Sequence, residues 1–227
     1  MNPMNVGWIF AARWEASPFL RRKSALKVAD APFPLYRMES EEAVSWAIVT
    51  GMGPEAARAG TWALIEKCEP QGIVNAGLAG GLTPEMTIGS KIKVTHASLI
   101  DTDRPLSPVF WYGRENPGKP EASFGAARKE KRLLTVTEPV FDTRLRTTLS
   151  QWGDLVDMEG AAIVAVCHEA EIPCTLIKLI SDLADDGARK GLQENMKTHC
   201  RLLADLLEPL SPDELEMNPW KPIHPTA

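Results

Sequence analysis

Cysteine is scarce in this chain: Cys68, Cys167, Cys174 and Cys200 are the four among 227 residues. None stands in a CxxC pair, so neither a zinc ribbon nor a disulfide framework fits their spacing, and they read as buried thiols of a reducing compartment. Long apolar runs are also missing, and the opening residues carry Asn2, Pro3 and Asn5 where a secretory leader has a basic segment followed by an apolar one. A cytoplasmic protein without membrane attachment is the expectation. A basic surplus is absent too: 25 Lys+Arg against 30 Asp+Glu give a formal net charge of −5, which speaks against nucleic acid as partner, since phosphate neutralisation needs cations. GxGxxG, GKS, GKT, HExxH and GxSxG do not occur, which disfavours a nicotinamide dinucleotide, a P-loop, a metalloprotease and a serine hydrolase. The expected partner is a small molecule.

What the chain does contain is an alternation of short apolar segments with helical ones. Val6 to Ala12, Ala43 to Thr50, Gly72 to Ala76, Lys91 to Leu99, Leu133 to Thr137 and Cys174 to Ile180 have the β-branched, continuous character of buried strands. Helices are predicted over Pro54 to Lys67, Gly160 to Glu171 and Gly191 to Leu207; the last carries Leu192, Met196, Cys200, Leu203 and Leu207 at helical spacing. The order predicts one α/β domain over residues 1–207. Between Arg104 and Arg132 lie four prolines, three glycines and seven basic residues, a composition that favours a solvated insertion or flap. A tail over 208–227 holds five prolines and is expected to be irregular, pinned by Trp220.

The segment from Asp157 to Asp186 reads as strand end, helix, turn at Pro173, strand and acidic loop. A helix of about a dozen residues returns the chain by roughly 18 Å, and a seven-residue strand carries it forward by roughly 23 Å. Glu159 and Asp182 therefore reach one edge of the sheet, where open α/β folds hold ligands. Two carboxylates brought there from different loops are a candidate acid and ligand clamp. The competing reading is that both only cap helices. Glu15 follows the first strand, Gly51 to Gly53 the second, and Gly77, Gly80 and Gly81 the third; glycines there let backbone approach a ligand.

Four segments carry a family likeness: AARWEASPF at 11–19, TGMGPEAARAG at 50–60, VNAGLAGGLTPEMTIGSKIKV at 74–94 and VDMEGAAIVAVCHEAEIPCTLIKLISDLAD at 156–185. They resemble the purine and uridine phosphorylase superfamily, and within it most the 5′-methylthioadenosine/S-adenosylhomocysteine nucleosidases. The resemblance implies a three-layer α/β/α domain around a central mixed twisted sheet. It implies Glu15 as the group acting on an attacking water and Asp182 as the acid at N7 of a purine, with Ser181 beside it. Met158 and Glu159 would hold the ribose, Phe141 would stack on the base, and Ala79 and Gly80 would line the site. No metal or cofactor is implied, only inorganic phosphate as co-substrate if the enzyme is a phosphorylase, and a homo-oligomer, most often a dimer, is usual.

The residue types suit that chemistry. Breaking an N-glycosidic bond passes through an oxocarbenium-like state, so the sugar needs anionic stabilisation and the departing base needs a proton. Burial against LIKLI and the charge of Glu159 would raise the pKa of Asp182, and Lys178 counteracts this if it points inward. Leu78 stands where the nucleosidases have serine, Lys178 where arginine is common, and Asp142 where an apolar residue is usual. These departures leave the 5′ group open, futalosine hydrolases and hopanoid-associated phosphorylases included. Phosphorolysis is the alternative to hydrolysis, and a binding protein without turnover is a third reading. His96, His168, His199 and His224 have no partner at metal-ligand spacing, and Trp14, Trp111 and Trp220 are candidates for covering the pocket.

Overall fold

The computed structural model describes residues 4–40, 43–100, 111–114, 130–210, 215, 217 and 219–223. The elements run β1 (Met4–Phe10), α1 (Arg13–Arg22), β2 (Leu26–Ala29), β3 (Leu35–Glu39), β4 (Ala43–Val49), α2 (Pro54–Cys68), β5 (Gly72–Gly81), β6 (Lys91–Lys93), β7 (His96–Leu99) and β8 (Trp111–Arg114). They continue with β9 (Arg132–Thr135), α3 (Thr143–Leu149), β10 (Leu155–Asp157), α4 (Gly160–Glu169), β11 (Cys174–Asp182), α5 (Ala188–Leu207) and β12 (Trp220–Ile223).

The sheet is mixed, with the order β12-β8-β7-β9-β10-β5-β1-β4-β3-β2 and with β11 branching off to pair β5 and β6. β5 is its pivot. It runs parallel to β1 over Gly72–Asn75 and to β11 over Ile73–Gly80, then meets β10 antiparallel at Gly80 and Gly81. Three partners can crowd one strand because its second half is small: a Cβ on Gly81 would stand 2.7 Å from Cβ of Met86.

Period-two alternation sorts the strand residues into two cores. Ile9, Ile73, Leu176 and Ile180 face one side, where they pack with Leu64 of α2 and Ile163 of α4. Trp8, Phe10, Val74, Ala76, Ile177 and Leu179 face the other and pack with Phe19 of α1 and Leu203 and Leu207 of α5. The result is the expected three-layer α/β/α arrangement, with α2 and α4 on one face and α1 and α5 on the other.

Three expectations are corrected. The apolar run from Lys91 to Leu99 is two strands: β6 pairs β11, whereas β7 pairs β8 and β9. The tail is not irregular throughout, because β12 pairs antiparallel with β8. Pro222 is tolerated there since β12 is a sheet edge and needs no donor on its outer side. Trp220 does pin the segment, its indole N–H donating to the carbonyl of Cys174 at 2.9 Å, and it is buried in the core, away from the pocket. Most of the expected insertion over 104–132 lies outside the described residues; within it, Trp111–Arg114 form β8. No helix among the described residues is long and apolar enough to cross a membrane.

Candidate active site

At the end of β5 and β11 a cavity of about 290 Å³ opens. Glu15, Glu159 and Asp182 all line it, together with Met158, Phe141, Ser181, Ala79 and Gly80. The sequence-derived site residues are thus brought together in one place.

Glu15 follows β1 and sits in the first turn of α1. Its Oε2 accepts the N–H of Ala12 at 3.1 Å and its Oε1 the N–H of Leu78 at 3.0 Å. The carboxylate is fixed from both sides by backbone, and the peptide of Leu78 provides a donor where a serine hydroxyl is missing. Burial pushes its pKa up, while the Leu78 N–H, the Lys178 ammonium and the Ala12 N–H pull against that shift.

Glu159 is the N-cap of α4. Its Oε1 accepts the N–H of Gly53 at 2.8 Å, and Gly53 holds a φ of +96° that favours glycine. Burial, then the charge of Asp157, raises its pKa to about 7, against the opposing effects of Lys178 and the Gly53 N–H.

Asp182 ends β11. Its Oδ2 accepts the Ser181 hydroxyl at 2.7 Å and its Oδ1 the N–H of Ala184 at 2.9 Å. Burial raises its pKa; those two donors and His199 oppose the rise. Gly80 gives it room, since a Cβ there would meet Oδ1 at 3.1 Å. Phe141 faces the cavity, with the guanidinium of Arg189 5.0 Å from its ring centroid. Asp142, which departs from the family pattern, caps α3 by accepting the N–H of Leu145 at 2.7 Å.

One pair was not anticipated. Lys178 does point inward, yet its Nζ lies 2.7 Å from Oδ2 of Asp157, and both side chains are 1% exposed. Its cation acts on Glu15 and Glu159 rather than on Asp182. Asp157 also accepts the Thr135 hydroxyl at 2.6 Å and the N–H of Gly160 at 2.9 Å, so it anchors the first turn of α4 from which Glu159 projects. The signal for this pair was the position of Lys178 within LIKLI: on a fully buried strand an ammonium must find a carboxylate.

The lining also includes the apolar residues Trp14, Met52, Val140, Pro139, Leu192 and Met196. Of these, Trp14 and Met52 are exposed, at 43% and 65%.

A family model described as the phosphorylase superfamily matches residues 9–209. The fold is similar to that of Helicobacter pylori 5′-methylthioadenosine/S-adenosylhomocysteine nucleosidase bound to butyl-thio-DADMe-Immucillin-A, with TM-score 0.78 and 19% identity over 92% of this chain and 97% of the other. It is similar to native Helicobacter pylori futalosine hydrolase, with TM-score 0.77 and 18% identity over 90% and 96% of the two chains. The Neisseria meningitidis 5′-methylthioadenosine/S-adenosylhomocysteine nucleosidase in complex with methylthio-immucillin-A gives TM-score 0.73 and 22% identity over 91% and 99%.

Proposed function

Because this chain belongs to the phosphorylase superfamily, we propose that it cleaves the N-glycosidic bond of a purine nucleoside with water as the acceptor, releasing free base and sugar. The observation that carries this reading is the convergence of Glu15, Glu159 and Asp182 on a single cavity. In the proposed reaction the bond from C1′ to the base nitrogen breaks as water adds to C1′. The electron pair passes into the purine, which Asp182 protonates at N7, and Glu15 receives the proton that water gives up. Glu159 accepts hydrogen bonds from the ribose hydroxyls through the oxygen that Gly53 leaves open, and its charge favours the oxocarbenium-like sugar. Asp182 suits the role of acid because burial favours its protonated form. Burial raises the pKa of Glu15 as well, and what sets it apart from Asp182 as the base is the Lys178 cation, which favours its ionised form.

Two features favour water over phosphate. A dianion placed against C1′ would meet the carboxylates of Glu15 and Glu159, and the described residues lining the cavity include no arginine or lysine to offset them. The apolar lining by Trp14, Met52, Leu192 and Met196 suits an uncharged 5′ substituent. That structurally similar 5′-methylthioadenosine/S-adenosylhomocysteine nucleosidases bind butyl-thio-DADMe-Immucillin-A and methylthio-immucillin-A supports the same class of substrate.

The test is to incubate the purified protein with a panel of 5′-modified and unmodified purine nucleosides, with and without inorganic phosphate, and to follow free base and reducing sugar. Equal amounts of both without phosphate are expected. Strict phosphate dependence with release of a sugar 1-phosphate would make the enzyme a phosphorylase, and binding without release would make it a binder.

A further inference from the structure

The proposed reaction leaves Asp182 without its proton at the end of each cycle, inside a pocket formed by protein on several sides. Water delivers a proton to Glu15, on the opposite side of the sugar, so Asp182 needs a separate supply. Helix α5 carries a residue suited to that task. Leu192 and Met196 line the cavity, and His199 is the next residue along the same helical face, three positions after Met196. It is 7% exposed. Its Nδ1 is enclosed and has no hydrogen-bond partner among the described residues, an expensive state for a buried ring nitrogen. Burial lowers the pKa of the imidazole and the charge of Asp182 opposes that shift, while His199 acts reciprocally on Asp182. Three other charged groups on the packed elements are engaged elsewhere. Glu15 of α1 is bound by Ala12 and Leu78, Lys178 of β11 pairs with Asp157 across the sheet, and Arg22 of α1 pairs with Asp205 and Glu208 further along.

We propose that His199 is the proton-return residue of this enzyme, taking a proton from solvent and passing it to the Asp182 carboxylate after the protonated base has left. Imidazole is suited to the step because it can accept a proton on one nitrogen while releasing one from the other. The balance closes: Asp182 gains the proton it gave to the purine, and Glu15 releases to solvent the proton it took from water. His199 touches neither base nor sugar, so its role is to reset the acid. This inference rests on the reading of Asp182 as the acid of N-glycosidic cleavage.

The test compares wild type with His199→Gln, which keeps the size and polarity of the side chain but carries no proton, using whichever purine nucleoside the wild type cleaves. In rapid-quench measurements with enzyme in excess, the first cleavage should proceed within twofold of the wild-type rate. With substrate in excess, the variant should show a burst of one equivalent of base and then a steady rate at least tenfold lower. His199→Ala should regain steady-state rate as free imidazole is added to the buffer, and this second variant serves if the glutamine variant is unstable. An unchanged steady rate in both variants overturns the proposal, as does a first turnover slowed in step with the steady state. If the wild type releases no base from any purine nucleoside, or if Asp182→Asn keeps full turnover, the reading of the site itself is wrong and the relay goes with it. A fully active wild type with an indifferent His199→Gln removes the relay alone.

Discussion

Glu159 is asked to be an anion in a place that disfavours one. Its pKa of about 7 means that its capacity to accept ribose hydroxyls grows as pH rises through neutrality. The kcat/KM profile should therefore have an ascending limb centred near pH 7, and Glu159→Gln should abolish that limb while raising KM about 10- to 100-fold, the worth of a hydrogen bond to a charged group. Stability runs the other way. Below the ordinary glutamate pKa the folded and unfolded forms are both protonated and this group's contribution is complete; between there and about pH 7 the folded state holds the proton more tightly. Stability then falls with rising pH, by at most about 1.4 kcal/mol per pH unit for one group, and levels off above. Urea melts across that window read the slope directly. Lys178 makes the complementary case. Its replacement by methionine should destabilise the fold by about 3–5 kcal/mol, since the carboxylate of Asp157 would be left buried without its cation, and a denaturant midpoint measures it. At this scale the acids were legible in the sequence through their position after strands, but the Asp157–Lys178 pair was not. A strand pattern places Lys178 on an inner face without saying which acid waits there.

Among the elements, β5 and β11 do most to create the site. Their side-by-side register puts Gly80 opposite Asp182, and the missing side chain is what admits the acid. In Gly80→Ala a Cβ would press on Oδ1 of Asp182 at 3.1 Å and on Ala184 and Val156 at 3.2 and 3.3 Å. The expected outcome is a loss of about 10- to 100-fold in kcat, the cost of misplacing a reacting group by a fraction of an ångström to an ångström, with an unchanged far-ultraviolet dichroism spectrum. The helices α2, α4 and α5 and the strands β1, β4, β5 and β11 could be read from period and composition because each buries a continuous apolar set. Helix α1 could not. Its residues RWEASPFLRR contain Pro18 and polar side chains, and what stabilises it is tertiary: Phe19 packs against Trp8 and Phe10, with ring centroids at 4.7 and 5.6 Å. The sequence placed Glu15 after the first strand, and without a legible α1 it did not show that the helix start itself orients the carboxylate. The run from Lys91 to Leu99 misled for a different reason: β6 and β7 are both apolar on one side, but they serve different neighbours, and local pattern does not encode partners.

The described residues form a three-layer sandwich, and the acids gather at one edge of its sheet. Elements from far apart in the chain contribute to that edge: α1, the Gly51–Gly53 turn, β5, the start of α4, the end of β11 and one face of α5. A ligand bridging them should tie the domain together. A purine nucleoside analogue that resists cleavage, at a hundred times its Kd, is expected to stabilise the folded state by about 2.7 kcal/mol, visible as a rise in Tm that Glu159→Gln diminishes. The layered α/β architecture was readable from alternation alone, because it follows from which faces are apolar. The strand order was not, since β10, β8 and β12 are short pieces whose place is set by pairing across the sheet.

The central claim is that Asp182 gives the departing base its proton while Glu15 takes one from the attacking water. The most direct measurement is the single-turnover rate of base release by wild type, Asp182→Asn and Glu15→Gln, alongside the affinity of each for an uncleavable analogue. Affinities within about tenfold of wild type and rates lower by about 10²- to 10⁴-fold are expected in each variant. Either variant cleaving at the wild-type rate would contradict that claim.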